Sequence, residues 1–312
     1  MFQKMVEKLI ENLPRSSVEE EDHQQPLKID LVLEGGAFNG SYMLGILYFL
    51  KNLEEKKKIQ VDRISGVSIG SILGLIYHLD RLDFTVSFYK SVYKHLKKKK
   101  NLSILHTFCN EIYKLLPEDF YITIHKKLFI AYYDFDKGKK IVKSTYKNNQ
   151  EIIDTVIKSG YIPFICGKSC FHQNKYADGL FPHVFSLKST EKNQKKILYI
   201  NLSHQDKILN MFVVKKEKNN IQRIMVGILD AYSFFYKREK TNMCSYLDQW
   251  NILDKGYSYL KKILEIFFFW NLWLFYILER YVLDEIPHTF FHKLFYQLLH
   301  HFFRSIIEWY CI

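Results

Sequence analysis

The chain has 312 residues, and 48% of them are hydrophobic, so it can bury a large core and is not a disordered polypeptide. Lysine and arginine number 45 against 33 aspartate and glutamate residues, and the net charge of +12 favours anionic partners such as an acidic membrane or a phosphorylated substrate. Nucleic acid is not predicted as a partner, because the tyrosine and phenylalanine residues lie on apolar faces and do not alternate with arginine.

The beginning of the chain shows no secretory signal. Residues 1–13 are amphipathic and carry four charged side chains, so they lack an apolar stretch of sufficient length. The residues that follow are acidic and polar. Residues 1–27 are therefore predicted to be a flexible lead-in that is not removed as a signal peptide.

The five cysteines include no Cys-x-x-Cys pair, which favours a reducing, cytoplasmic location. Cys166, Cys170 and His172 are close enough in sequence to suggest metal ligands, but no second half-site follows them. The sequence therefore predicts neither a metal nor a cofactor.

The first predicted element of the folded part is a buried strand at residues 29–33, where a compact apolar run is bounded by polar residues. It leads into a glycine-rich turn that includes Gly35, Gly36 and Gly40, and a helix follows. Glycines in this position let several backbone N–H groups converge on one anion, so the turn is predicted to bind a phosphate or an oxyanion. Its glycine spacing matches neither a dinucleotide fingerprint nor a P-loop.

A second strand, at residues 61–64, runs into Gly66-Val67-Ser68-Ile69-Gly70, and an apolar helix follows. Such a strand, sharp turn and helix would raise the Ser68 hydroxyl out of the backbone, while the two glycines let neighbouring backbone pass closely. The free N–H groups at the start of the helix direct positive charge at a developing oxyanion. The pattern predicts a nucleophilic serine, and the alternative is an ordinary glycine-rich turn with a capping serine.

Two strand–helix units in tandem predict a parallel sheet with right-handed crossovers, and therefore an α/β fold. Both turns then lie at the carboxyl ends of their strands. This arrangement places the Gly35 and Gly36 amides on the same rim of the sheet as Ser68.

The middle of the chain alternates between helical and extended patterns. Helical periodicity occupies four segments: residues 82–100, 103–116, 151–159 and 219–240. Extended patterns occupy four others: residues 127–133, 140–146, 175–177 and 196–202. The first two of these strands flank a hairpin signal.

The tail of the chain, from residue 258 on, is rich in aromatic residues. Residues 266–278 are apolar on every face except at Asn271, but this run is too short for a hydrocarbon core that needs about 20 residues. A second aromatic run occupies residues 290–312. The two runs are interpreted either as a helical pair that lies in a membrane interface or as a helical cap packed on the sheet.

The glycine-rich turn and the serine turn together resemble the patatin-like phospholipase family. That family has a glycine-rich oxyanion loop after its first strand and a Gly-x-Ser-x-Gly turn about thirty residues further on. Its third motif, an Asp-Gly pair that carries the base, resembles Asp178-Gly179 of this chain, and residues 157–163 resemble the family's Ala-Ser-x-x-x-Pro segment. The resemblance covers residues 28–203 in the family's order.

The resemblance implies a three-layer α/β/α fold with a mainly parallel central sheet, plus an aromatic-rich helical C-terminal region. It divides the chain into the lead-in, a catalytic domain at residues 28–203 and a helical region at residues 204–312. For a lipid-acting enzyme of this kind, the predicted location is cytoplasmic and peripheral or monotopic at a membrane surface.

The resemblance also implies a lipid acyl hydrolase of phospholipase A or lysophospholipase type, which cleaves carboxylic esters of phospholipids or lysophospholipids. In this mechanism Asp178 accepts the proton of Ser68 as the serine attacks the ester carbonyl. No histidine is required. The oxyanion would be held by four amides, those of Gly35, Gly36, Ala37 and Ile69. Taken alone, Asp178-Gly179 is an ordinary turn signal.

Three residues depart from the family's pattern. Ala37 and Asn39 stand where the loop usually has a glycine and a basic residue, and Leu180 stands where a glycine or alanine usually follows Asp-Gly. Alanine is unfavourable at position 37 if φ must be positive, and asparagine removes a positive charge near the oxyanion. These departures motivate a second hypothesis, a catalytically weakened homologue that serves as a membrane-bound lipid-binding or scaffolding protein.

A third hypothesis is a conventional α/β-hydrolase with a Ser-Asp-His triad. Its histidine would come from the cluster at residues 288–301. This hypothesis is less favoured, because the nucleophile of such enzymes normally lies further into the sheet than the second strand.

Overall fold

The computed structural model describes residues 2–14, 26–167, 169–186, 195–203, 211, 213, 220–277, 280, 297, 298, 301 and 305. At its centre is a sheet whose four inner strands are parallel. The strands within these residues are β1 (Leu27–Leu33), β2 (Ile59–Gly66), β3 (Leu128–Asp134), β4 (Lys139–Lys143), β5 (Tyr176–Asp178), β6 (Lys196–Ile200) and β7 (Cys244–Tyr246).

The strands follow the order β4-β3-β2-β1-β6-β7 across the sheet, and β5 pairs with β3. β1 pairs in parallel with β2 and with β6, and β2 pairs in parallel with β3. The outer strands β4 and β7 run antiparallel to their neighbours. The parallel pairing of β1 with β2 is the arrangement that two strand–helix units in tandem predict.

The position of β5 matters for the site. β2 ends at Gly66, opposite Ile130 of β3, and β5 pairs with residues 132–134 of the same strand. Because β4 occupies the other edge of β3, β5 lies on the edge that becomes available where β2 stops. The end of β5 is thereby brought beside the turn that follows β2.

Alternation along the strands gives the sheet two apolar faces. Ile29, Leu31 and Leu33 of β1 belong to the main hydrophobic cluster, whereas Val32 belongs to a separate cluster with residues of β6. Successive side chains therefore point to opposite faces. Burial on both faces explains the nearly continuous apolar run of β1.

Helices cover both faces of the sheet. They are α1 (Gln3–Glu11), α2 (Gly40–Glu55), α3 (Ile69–His78), α4 (Leu82–Lys99), α5 (Ile104–Leu115), α6 (Phe120–Thr123), α7 (Asn149–Gly160), α8 (Ile221–Lys237) and α9 (Ile252–Ile277). Buried residues of α1 to α8 contribute to the main cluster. α9 packs elsewhere, with Phe269 stacked on Tyr133 at a distance of 3.9 Å between ring centroids. The predicted fold class, an α/β fold with a mostly parallel central sheet flanked by helices, is confirmed.

The structure differs from the sequence prediction at the N-terminus. Residues 3–11 were expected in a flexible lead-in, but they form α1, and Val6, Ile10 and Leu13 are buried in the main cluster. The amphipathic pattern of this segment is the physical reason, since its apolar stripe packs against the folded domain.

The structure also differs from the predicted boundary at residue 203. α8 packs closely along α2, and β7 adds an antiparallel strand next to β6. The sheet and its core thus continue to residue 246. Neither β7 nor the short helix α6 was predicted, because three- and four-residue elements carry too little periodicity to detect.

The aromatic tail forms a longer helix than its apolar run suggests. α9 extends over 26 residues and includes the polar segment that precedes residue 266. Phe269 and Tyr276 are buried, whereas Phe267 and Trp270 are largely exposed. No helix in the described ranges combines the length and apolar content that a membrane crossing needs. Most of the second predicted run, residues 290–312, lies outside the described residues.

Candidate active site

Ser68 occupies a strained turn between β2 and α3. Its backbone angles are φ 54° and ψ −129°, a conformation that costs a non-glycine residue about 1–3 kcal/mol. A methyl group on Gly66 would lie 2.5 Å from the carbonyl oxygen of Gly70, and one on Gly70 would lie 2.5 Å from that of Leu33. Both glycines are therefore needed for the close approach that the turn requires, as their sequence pattern predicts.

A buried serine from another part of the chain holds this turn in place. The Ser68 amide donates to Ser159 Oγ at 3.0 Å, and Ser159 Oγ donates to the carbonyl oxygen of Ala131 at 2.7 Å. Ser159 is the last-but-one residue of α7 and is fully buried. Sequence reasoning placed Ser159 only within a motif of the family resemblance and missed this contact, because nothing local pairs it with residue 68.

Asp178 lies beside Ser68 at the end of β5. The Ser68 side chain is close enough to the Asp178 carboxylate to lower its pKa, and the amide of Leu180 donates to Asp178 Oδ1 at 2.8 Å. The backbone amide of Asp178 donates to the carbonyl oxygen of Tyr161 at 2.9 Å. The structure thus brings together the two residues that the sequence proposed as a pair, although their catalytic role stays a prediction.

The surroundings of Asp178 change its acidity. Burial raises the pKa of its carboxyl group to about 6, because a charged carboxylate is poorly solvated there. The hydrogen bonds from Ser68 and Leu180 oppose this rise, as does the positive charge of Lys140. The carboxylate is consequently a stronger base than an exposed aspartate, yet it is still mostly ionised at neutral pH.

Histidines take no part in these contacts within the described ranges. His172 packs against the rings of His106 and Tyr161, and burial lowers its pKa to about 4. His183 lies near Phe129 and Phe185. Of the histidines at 288–301 on which the triad hypothesis depends, all but the exposed His301 lie outside the described residues.

The glycine-rich turn lies against the serine turn. A methyl group on Gly35 would be 3.1 Å from the Cβ of Ser68. The other two motif glycines make similarly close contacts, Gly40 with Ile69 and Gly179 with the backbone of Ala131. The four amides proposed for the oxyanion hole, those of Gly35, Gly36, Ala37 and Ile69, donate to no other backbone carbonyl in the part of the chain that the structure describes. They are available to an anionic oxygen, and this role too stays a prediction.

Two of the three departures from the family pattern have left-handed backbones. Ala37 has φ 43° and Leu180 has φ 57°. Each residue therefore carries a Cβ in a conformation that favours glycine. Strained backbone is therefore present in two loops of the site: the glycine-rich turn, which contains Ala37, and the turn after Asp178, which contains Leu180.

Replacing Ala37 with glycine should stabilise the protein. The substitution relieves a strained φ, and we expect the free energy of unfolding to rise by about 0.5–1 kcal/mol. Urea denaturation followed by circular dichroism measures this change. The control is Ala231→Gly in α8, where the backbone is helical and the same exchange should lower the free energy of unfolding by about 1 kcal/mol or more. A loss of stability in both variants would contradict the strain assigned to Ala37.

The third departure, Asn39, has a partner that sequence reasoning missed. Asn39 is fully buried, and its Oδ1 accepts a hydrogen bond from Arg223 Nη1 at 2.9 Å. Arg223 lies in α8, far from the motifs along the chain. No sequence signal could have identified it, because an arginine within a helical pattern is most often a solvated residue.

A buried acidic residue anchors the start of the glycine-rich turn. Glu34 is 1% exposed and accepts hydrogen bonds from the hydroxyl of Tyr199 at 2.6 Å and from Lys261 Nζ at 2.5 Å. Its Oε2 also accepts hydrogen bonds from the backbone amides of Leu202 and Ser203. Lys261 belongs to α9, so this ion pair joins the aromatic helix to the residue that precedes Gly35.

Ser68 opens into an apolar cavity of about 130 Å³. α4 and α5 together supply one side of its wall, through residues such as Phe88, Val92 and Phe108. Cys166 also lines the cavity, and burial raises the pKa of its thiol to about 12, so it is not a competing nucleophile. The described residues contain no group of three His, Cys, Asp or Glu side chains that could hold a metal ion. The arrangement suits an aliphatic chain whose polar end reaches Ser68.

Comparisons with known proteins identify relatives of this chain. A family model described as patatin-like phospholipase matches residues 31–182. Among curated proteins, an omega-hydroxyceramide transacylase of Mus musculus is 23% identical over 159 residues, which cover 47% of this chain and 26% of the relative. The omega-hydroxyceramide transacylase of Homo sapiens is 24% identical over 158 residues, which cover 47% of this chain and 29% of the relative. The matched segment thus spans little more than a quarter of either relative.

Proposed function

We propose, since residues 31–182 form a patatin-like phospholipase domain, that the chain is a carboxylic ester hydrolase acting on phospholipids or lysophospholipids. One observation carries the proposal: Ser68 lines an apolar cavity, and its side chain lies beside the Asp178 carboxylate and lowers the pKa of that group. A hydroxyl paired with a base of raised pKa is the arrangement that nucleophilic catalysis requires.

The reaction begins when Ser68 Oγ attacks the ester carbonyl carbon and its proton passes to the Asp178 carboxylate. The carbonyl electron pair moves to the oxygen, and the amides of Gly35, Gly36, Ala37 and Ile69 would stabilise the resulting oxyanion. When the intermediate collapses, the ester bond breaks and the leaving alcohol takes the proton from Asp178. The acyl group then remains on Ser68.

Hydrolysis of the acyl-enzyme completes the cycle. Water takes the place of the alcohol that left, and the proton moves in the opposite direction, from water through Asp178 to Ser68. Asp178 accepts a proton from the water molecule as its oxygen attacks the acyl-enzyme. Collapse of the second intermediate breaks the bond to Ser68 Oγ, which recovers the proton, and a fatty acid leaves. A carboxyl group with a pKa of about 6 suits both directions of proton transfer near neutral pH.

The substrate class follows from the cavity and the charge of the chain. Residues from α4 and α5 give the cavity an apolar wall that an acyl chain would fill. The net charge of +12 favours a substrate that carries a phosphate. Glycerophospholipids and lysophospholipids combine both properties.

Incubation of the purified protein with phospholipid and lysophospholipid that carry a labelled acyl chain tests this proposal. We expect labelled fatty acid from the wild type and only background from Ser68→Ala. Equal background from both proteins would reject the hydrolase and favour the weakened homologue that Ala37, Asn39 and Leu180 suggest. In that case lipid binding without turnover should still be measurable.

A second candidate reaction is acyl transfer to a lipid alcohol. It is favoured by the relatives, which are named omega-hydroxyceramide transacylases, and by the apolar wall around Ser68, which disfavours water as the acceptor. The acyl-enzyme would form as above, and the hydroxyl of the acceptor would replace water. Adding a long-chain ω-hydroxylated lipid to the same assay should then divert label from fatty acid to a new ester. An unchanged yield of fatty acid would exclude transfer to this acceptor.

We also propose that the protein binds the cytoplasmic surface of a membrane through α9. The helix is held by Lys261 and Phe269 on its inner side, and it exposes large apolar residues such as Phe267 and Trp270 on its outer side. Tryptophan and phenylalanine on an amphipathic helix suit the boundary between headgroups and acyl chains.

Sedimentation with phospholipid vesicles tests the membrane proposal. We expect the wild type to pellet with the vesicles and the double variant Phe267→Glu/Trp270→Glu to stay in the supernatant. The matched control is Ile122→Glu, which adds a charge at another exposed apolar residue, remote in sequence from α9. Equal sedimentation of all three proteins would refute a role for α9.

A further inference from the structure

Arg223 places a buried guanidinium group behind the glycine-rich turn. The residue is 5% exposed, although arginine is almost never buried unless its donors are satisfied. Nη1 donates to Asn39 Oδ1 at 2.9 Å, and Nη2 donates to the carbonyl oxygen of Val213 at 2.8 Å. The guanidinium also lies 5.5 Å from the centre of the Tyr42 ring. These contacts fix the planar group in one orientation.

Asn39 connects Arg223 to the glycine-rich turn. Its Nδ2 donates to the carbonyl oxygen of Leu202 at 3.2 Å, and its backbone amide donates to the carbonyl oxygen of Gly36 at 2.8 Å. The second bond closes the short 3₁₀ turn at residues 37–39, which contains the strained Ala37. Both ends of the Asn39 side chain are thus held, one by Arg223 and one by Leu202.

We propose that Arg223 is a positioning residue of the oxyanion site. Through Asn39 it holds the turn that carries the Gly36 and Ala37 amides, and it brings a positive charge to the buried side of that turn. This inference rests on the proposed function, because it needs an oxyanion to form at those amides.

The physical reason is that the turn cannot hold its shape alone. A single 3₁₀ turn is a weak structure, and the positive φ of Ala37 adds strain that its surroundings must offset. Amides stabilise an oxyanion well only if they already point at it, because reorienting them during the reaction would cost free energy and raise the barrier. A cation near these amides strengthens the effect, because charges act more strongly where water is excluded.

The test compares the kinetics of Arg223→Met with those of the wild type. We expect kcat to fall at least about tenfold while KM changes less than about twofold, because the oxyanion exists in the transition state and not in bound substrate. The second-order rate of labelling by a fluorophosphonate should fall in parallel, since that reaction also builds negative oxygen at the site. Arg223→Lys keeps the positive charge but lacks the planar guanidinium with its two Nη donors. Its kcat and labelling rate should therefore lie between those of Arg223→Met and the wild type.

Asn39→Ala removes the same hydrogen bond from the other side, and it carries the test if Arg223→Met does not fold. The double variant should lose little more kcat than either single variant, because both substitutions break the same hydrogen bond between Arg223 and Asn39. The control is Arg63→Met. It removes a guanidinium that is bonded to the buried Asp30 on the other face of the sheet, so it should lower the melting temperature and leave kcat unchanged.

The outcomes separate this inference from the proposed function. If Arg223→Met keeps the kcat and labelling rate of the wild type, the inference is wrong and the hydrolase remains. If Arg63→Met loses kcat as much as Arg223→Met does, the effect is general destabilisation and the inference is equally wrong. If the wild type itself neither turns over lipid nor reacts with the fluorophosphonate, the proposed function fails.

Discussion

Replacing Ser68 with alanine should reduce ester hydrolysis by at least about 10³-fold, because it removes the hydroxyl beside Asp178 that is proposed to form the acyl-enzyme. The same substitution should abolish covalent labelling by a fluorophosphonate. Mass spectrometry of the labelled wild type should assign the adduct to the peptide that contains Gly66-Val67-Ser68. This measurement reports a reactive serine before the natural substrate is known.

Ser65→Ala is the matched control for this prediction. Ser65 lies in β2, it is fully buried, and its hydroxyl has no hydrogen-bond partner in the described part of the chain. Removing an unsatisfied hydroxyl costs little stability, so this variant should keep both its activity and its labelling. Labelling that persists in Ser68→Ala and disappears in Ser65→Ala would place the nucleophile elsewhere.

The pH dependence of the wild type should report Asp178. Its pKa of about 6 predicts that kcat/KM is constant above that value and falls about tenfold per pH unit below it, because the protonated carboxyl cannot accept the proton of Ser68. Asp178→Asn should lose about 10³-fold in kcat and should no longer show this acid limb. A variant that keeps the limb would assign the titration to another group.

Asp178 should also affect stability, in a direction that its pKa defines. The folded-state pKa lies above the ordinary value of 3.8, so the folded protein binds the proton more tightly than the unfolded chain does. The stabilising contribution is complete below about pH 3.8 and is lost as the pH rises through about 6. Asp178→Asn, which carries no charge, should therefore gain stability relative to the wild type between about pH 4 and pH 8.

Asp136→Asn provides a control of opposite sign. The pKa of Asp136 is lowered by hydrogen bonds from Tyr276, Arg280 and Lys175, of which the Tyr276 bond contributes most. Its contribution is lost as the pH falls through the lowered folded-state pKa and is complete above the ordinary value of 3.8, so this variant should be less stable than the wild type by a nearly constant amount above about pH 5 and by less in more acid solution. Melting temperatures of both variants between about pH 2 and pH 8 measure the difference. The same pH trend in both would contradict the burial assigned to Asp178.

The sequence by itself determined the parts of the protein that local chemistry controls. The apolar run of β1, the glycine-rich turn and the Gly66–Gly70 turn each depend on residues only a few positions apart, and the structure has them where the pattern predicts them. The resemblance to a known family supplied Asp178, which alone is an ordinary turn residue. The amphipathic pattern of residues 1–13 was visible, but its packing partner was not.

Only the tertiary structure decided how these parts meet. β5 reaches Ser68 because it takes the edge of β3 that β2 leaves free, and no periodicity in a three-residue strand signals that pairing. Ser159 and Arg223 act on residues 91 and 184 positions away, and the positive φ of Ala37 follows from the contacts of its loop. Turn and helix preferences act over a few residues, whereas contacts across the fold are selected by the packing of the whole core.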